Sequence, residues 1–106
     1  MKQIVISDRA ARSFRRIATY SNENFGARRG EQYARSLTER CAAVARGDVS
    51  GRSCGDFFAL ELQADLRFVA VGSHYVIYRE TVRQVVIIDF IHQSADVGGR
   101  LGGAPP

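Results

Sequence analysis

Five side chains in the second half of the chain could do chemistry: Arg67, His74, Arg79, Arg83 and His92. A guanidinium grips an oxyanion at two points, and an imidazole exchanges a proton near neutral pH. Arg67 and Arg79 beside His92 would therefore make a phosphate site, with the two arginines meeting on adjacent strands. Cleaving a phosphodiester asks for more: a base, an acid, and cations aimed at the developing charge. Glu61 precedes the group in a loop, and the single lysine, Lys2, lies near the N-terminus. The set thus lacks a clear base–acid pair. The same residues also have plain structural uses. Arg67 and Arg79 could pair with Asp65, Glu80 or Asp89, His92 could hydrogen-bond near Asp96, and Tyr75 and Tyr78 could simply pack.

These residues must be positioned by a small frame. The chain has 106 residues and a mass of 11.7 kDa. A domain of this size buries about two-thirds of its unfolded surface, enough for one modest core. The net charge of +4 is uneven. Residues 1–53 carry eleven Lys/Arg and five Asp/Glu, whereas residues 54–106 carry four and six. Fourteen of the fifteen cations are arginine. That excess suits an acidic partner, protein or nucleic acid, or else a solvated helix face. The opening "MKQIVIS" lacks the apolar stretch of a signal peptide, and no run is long enough to span a membrane, so a cytoplasmic protein is expected. Cys41 and Cys54 have no metal-ligand spacing. Neither a metal nor a cofactor is expected. Cys41 reads as a helix core residue, and Cys54, in a glycine-rich loop, has no assigned role.

The periodicities then give the elements. "QIVI" is a short strand. "SDRAARSFRRIATYSNENFG" is a helix capped by Ser7 and stopped at Gly26. Its apolar stripe runs Ala10, Phe14, Ile17 and Ser21 or Tyr20, with Arg9, Arg12, Arg15 and Arg16 away from it. "ARRGEQYARSLTERCAAVARG" is a second helix, with Tyr33, Leu37, Cys41 and Val44 on its stripe. So short a link makes an antiparallel helical hairpin. Residues 48–65 read as loop, with Phe57 and Phe58 as anchors and "FFALEL" as a short strand or docking segment. From Leu66 the period becomes two, giving three strands: "LRFVAVG", "SHYVIYRE" and "QVVIIDFI". Gly72-Ser73 suits a type II′ turn. The expected fold is therefore α+β: an N-terminal strand, then a helical hairpin laid across one side of a three-stranded antiparallel meander. Residues 1–97 form one domain, and "GGRLGGAPP" (98–106) reads as a flexible tail.

This order of elements, with the residues that close it, resembles the ParE toxins of the RelE/ParE superfamily of type II toxin–antitoxin systems. "ISDRAARSFRRIATYSNENFG" is similar to the family's opening S-x-x-A helix, and "QYARSLTERCAAVA" takes the place of its second helix. "LRFVAVGSHYVIYRE" resembles its R-x-x-x-x-G-S-H/Y-x-V-x-Y-R. "VVIIDFIHQSAD" resembles its ending, with His92 and Asp96 at H-x-x-x-D. The resemblance spans about residues 3–97. One departure is the segment "ARGDVSGRSCG", which has no proline where the family usually shows hPxxG.

The resemblance implies a toxin that poisons DNA gyrase without catalysing a reaction, serves plasmid stabilisation, and meets DNA only indirectly, through its antitoxin. It also implies a ParD-like antitoxin, with a ribbon–helix–helix half and a wrapping C-terminal tail, joined to the toxin in a hetero-oligomer. With the basic excess of the first half, it points to Arg9, Arg12, Phe14, Arg16 and Tyr20 as antitoxin contacts. The target surface would be Arg67, Tyr75, Arg79 and His92. The RelE branch cuts messenger RNA instead, by attack of a 2′-hydroxyl on its own phosphate. Were that the activity here, Arg67, Arg79 and His92 would carry it.

Overall fold

The structure, a computed structural model, describes residues 1–62 and 64–102. It is the α+β architecture expected. The elements are β1 (Gln3–Ile6), α1 (Asp8–Phe25), α2 (Ala27–Arg46), β2 (Arg52–Ser53), the one-turn α3 (Cys54–Phe57), β3 (Arg67–Val71), β4 (His74–Glu80), β5 (Gln84–His92) and the one-turn α4 (Val97–Arg100).

Ser7 starts α1 as its sequence context requires: its Oγ accepts the Ala10 N–H at 3.0 Å, satisfying a first-turn donor. Gly26 alone separates the two long helices and has φ +88°, a conformation open to glycine. Nothing else intervenes, so α2 must fold straight back on α1. Near that crossing Gly30 is buried, and a Cβ on it would fall 1.8 Å from Asn22 Oδ1. The absence of a side chain there lets the hairpin close. Leu37, Cys41, Val44 and Ala45 are buried on α2, as its stripe predicts. On α1 the buried positions are Ala10, Ser13 and Ser21, while Tyr20 stays 62% exposed.

The sheet is larger than the expected meander. It has five strands in the order β1-β5-β4-β3-β2. β3, β4 and β5 form the antiparallel core, and β1 lies parallel to β5, with Ile4 against Val85. The turn from β3 to β4 has Gly72 at φ +54°, fitting the glycine-first turn.

Two further corrections concern the sheet's faces and the tail. The expected single core is in fact two, because both faces are covered. Helices α1 and α2 cover one face over Val76, Tyr78, Ile87 and Phe90. On the other face, Phe68, Ile77 and Ile91 lie under Cys54, Leu66 and Val97. The loop between α2 and β3 is thus a lid, and Cys54, left without a role by the sequence, is a fully buried part of it. Within this loop Phe57 and Phe58 both pack 5.0 Å from Phe68, the anchoring expected of them, although Phe57 stays 46% exposed under the Arg52 guanidinium. Each large apolar side chain so buried contributes about 1.5–3 kcal/mol. The second difference lies at the tail. Asp96 caps α4 by accepting the Gly99 N–H, and Leu101 packs on the second core, so the stretch read as tail begins with a folded turn. Residues 103–106 lie outside the described ones.

β5 carries an irregularity. Ile77 pairs with Asp89 but Tyr78 pairs with Ile87, so Ile88 is an extra residue. Such a bulge re-aims the side chains around it. Asp89 is consequently fully buried against α1.

Candidate functional site

The phosphate site expected from Arg67, Arg79 and His92 is not assembled. Arg67 lies across from Tyr78, and Arg79 across from Val86. They are one residue out of step, so their side chains leave opposite faces of the sheet. Arg67 instead holds the Gly51 carbonyl at 3.3 Å and Asp65 at 3.4 Å, the structural use foreseen for it. Tyr75 packs 5.3 Å from Phe58 on the lid face. Of the proposed target surface, His92 alone opens onto a cleft.

That cleft lies between the tip of the helical hairpin and the β3–β4 turn and has a volume of about 580 Å³. Its floor is a histidine pair that strand register creates: His74 and His92 are direct cross-strand partners, with ring centroids 5.0 Å apart. Tyr33 of α2 fixes the first ring, its Oη lying 2.6 Å from His74 Nδ1. The same oxygen accepts the Ser73 N–H at 3.1 Å and donates to the Val71 carbonyl at 3.1 Å. One hydroxyl proton and two lone pairs satisfy all three contacts only if His74 donates from Nδ1. Its Nε2 is then the basic nitrogen. Burial, followed by the neighbouring His92, holds the His74 pKa below its ordinary value. His92 has the opposite tautomer. Its Nδ1 accepts the Ser94 N–H at 3.0 Å, so its proton sits on Nε2. The partner is Ser94 and not the expected Asp96, which is occupied in capping α4.

Arginines and aromatics rim the cleft. Arg16, Tyr20 and Phe25 come from α1, and Arg29 from the start of α2. A shallower hollow on the outer side of α1 is lined by Arg12, Arg15, Arg16, Thr19, Tyr20 and one acid, Glu23. Below α1 a third, mainly apolar hollow of about 420 Å³ is bordered by Ile4, Ile6, Phe14 and Phe90. The five residues expected to hold an antitoxin therefore divide. Arg12, Arg16 and Tyr20 share one exposed flank, and Phe14 borders the hollow beneath it, 5.7 Å from Phe90. Arg9 belongs elsewhere: its Nε is 3.1 Å from buried Asp89, and its guanidinium also donates to the Arg100 carbonyl. The stripe on α1 placed Arg9 outward, whereas the bulge at Ile88 brings an acid within its reach. Sequence reasoning noted His74 but did not pair it with His92. Their pairing is set by the Thr81–Arg83 connection between β4 and β5 and shifted one residue by the bulge, which no local pattern in the sequence marks. Among the described residues no cluster of His, Cys, Asp or Glu has the makings of a metal site, and no helix is long and apolar enough to cross a membrane.

The fold is one already seen in toxin–antitoxin complexes. A solved structure described as the chromosomal ParDE TA system from P. aeruginosa superposes with a TM-score of 0.69, covering 87% of this chain and 96% of that one at 12% identity. The sequence goes further than the fold. The model of the family "ParE toxin of type II toxin-antitoxin system, parDE" matches residues 4–97. Toxin ParE1 of Caulobacter vibrioides is 35% identical over 102 residues, covering 96% of this chain and all of that protein. The chain belongs to the ParE toxin family of type II toxin–antitoxin systems.

Proposed function

We propose that this toxin poisons DNA gyrase, trapping it with cut DNA, and that a ParD-like antitoxin holds it inactive in the cytoplasm. The observation that carries this reading is the family match across residues 4–97, with a named ParE toxin matched over its whole length. The antitoxin's seat is the exposed flank of α1. Its arginines, Arg12 and Arg16, face acids of the wrapping tail, while apolar anchors of that tail fill the hollow bordered by Phe14. Arg9 is not part of this seat, being committed to Asp89.

The test of the target is direct. Purified toxin, gyrase, ATP and supercoiled plasmid should accumulate double-strand breaks. Intact plasmid, together with truncated messages in primer extension during translation, would replace gyrase by the ribosome. The RNase alternative named Arg67, Arg79 and His92, and their dispersal weighs against it. For the antitoxin, the double charge reversal Arg12→Glu, Arg16→Glu should lower affinity at least tenfold in low salt and flatten its salt dependence. Unchanged affinity at both salt concentrations would exclude this flank.

A further inference from the structure

Among the described residues, none lining the cleft above the histidine pair carries a carboxylate. Its charged groups are Arg16 and Arg29, and neither forms an ion pair among the described residues. Beside them Tyr20 and Phe25 stand 62% and 58% exposed, with ring centroids 6.4 Å apart in an edge-on arrangement. Two large rings left in water beside two uncompensated guanidiniums mark a binding surface. The rings are flat, rigid platforms, and the guanidiniums suit anions held two oxygens at a time.

We propose that, beyond the antitoxin-mediated DNA contact expected from the sequence, this cleft itself binds an unpaired strand of DNA, with bases stacked on Tyr20 and Phe25 and backbone phosphates on Arg16 and Arg29. A strand of nucleotides brings a ring and an anion at every step, which is the pattern the cleft offers. An acidic peptide would use the cations and leave the ring faces idle. Duplex DNA hides its base faces, so the strand must be single. The choice of DNA over RNA rests on the gyrase reading, in which the toxin's target holds cut DNA. The volume of about 580 Å³ falls in the range of ligand clefts. Arg16 and Tyr20 belong both to this cleft and to the flank assigned to the antitoxin. Antitoxin and strand therefore compete for the same two side chains.

The experiment measures fluorescence anisotropy of labelled oligothymidylate of about ten residues with the purified full-length toxin. Binding should weaken about tenfold in Phe25→Ala and severalfold in Arg29→Gln, and the latter should reduce the salt slope by about one. Arg35→Gln, which removes a cation paired with Glu31 outside the cleft, should bind as the parent does. All three positions are exposed, and circular dichroism checks the fold of each variant. No binding by the parent, or equal binding by Phe25→Ala and Arg29→Gln, overturns the proposal. Tighter binding of oligouridylate makes the cleft an RNA site, and tighter binding of oligoglutamate makes it a peptide seat; either overturns it too. Running the gyrase cleavage assay on the same proteins separates the two readings. Strand binding without breaks leaves this site standing and removes the target. Breaks without strand binding do the reverse.

Discussion

Asp89 is buried; its Oδ1 accepts Ser13 Oγ–H at 2.5 Å and the Phe90 N–H at 2.8 Å, while its Oδ2 has no hydrogen bond among the described residues and only the ion pair with Arg9 Nε at 3.1 Å. A carboxylate taken out of water is tolerable only while such partners remain. Arg9→Ala should therefore cost about 2 kcal/mol in urea unfolding, well above the few tenths expected for an ordinary surface arginine. A loss within the surface range would show that Ser13 and the backbone suffice. His74 supplies a pH dependence. Because its folded pKa is depressed, the unfolded chain binds the proton more readily, so stability is full above the ordinary value of 6.5 and declines as pH falls through it. The melting temperature should drop between neutral pH and pH of about 5, and drop less in His74→Gln. The thiols make a third case. Burial pushes both Cys41 and Cys54 up to about 11, leaving almost no thiolate at neutral pH. Neither should react with a thiol reagent until the protein unfolds. Fast labelling of Cys54 in the native state would mean that the lid opens.

Among the elements, the helical hairpin was the most legible. Its caps and stripes are local: Ser7, Gly26 and the Leu37–Cys41–Val44 row all stand where the sequence put them. Gly30 carried no such mark, since its need for a missing side chain comes from Asn22 on the other helix. Gly30→Ala gains helix propensity but drives a Cβ into Asn22, so it should destabilise by about 1–3 kcal/mol in thermal or urea unfolding. Stabilisation instead would mean that Asn22 swings aside. The three central strands were equally readable from their period of two. The rest of the sheet was not. β1 finds its partner some eighty residues away, at Ile4–Val85, and no local pattern encodes that choice. The lid over the second face is irregular backbone, and irregular backbone has no period to read. Its place is set by pairings such as the Gly51 N–H on Tyr78 Oη at 2.7 Å. Tyr78→Phe strands that donor and should cost about 1–2 kcal/mol. The site suffered for the same reason. Arg67 and Arg79 were placed on adjacent strands by their period of two, while the register that separates them, and the bulge that turns Arg9 inward, are properties of paired strands.

At the scale of the whole molecule, the charge asymmetry resolves into a basic helical layer resting on a more acidic sheet layer. The antitoxin flank and the cleft over the histidine pair both lie on the basic layer and meet at Arg16 and Tyr20. Antitoxin-bound toxin should accordingly release a bound oligonucleotide, a result that titration by anisotropy can read. The parallel pairing of β1 with β5 carries a consequence of another kind. Among the described strands, β1, the earliest in the chain, pairs only with β5, the latest. During synthesis the opening strand and its coiled hairpin wait with one flank bare, and the layer zips shut only when the final ribbon emerges. A sheet wired in this way is completed only at the end of the described strands' synthesis, so truncation before β5 leaves β1 without any strand to pair with.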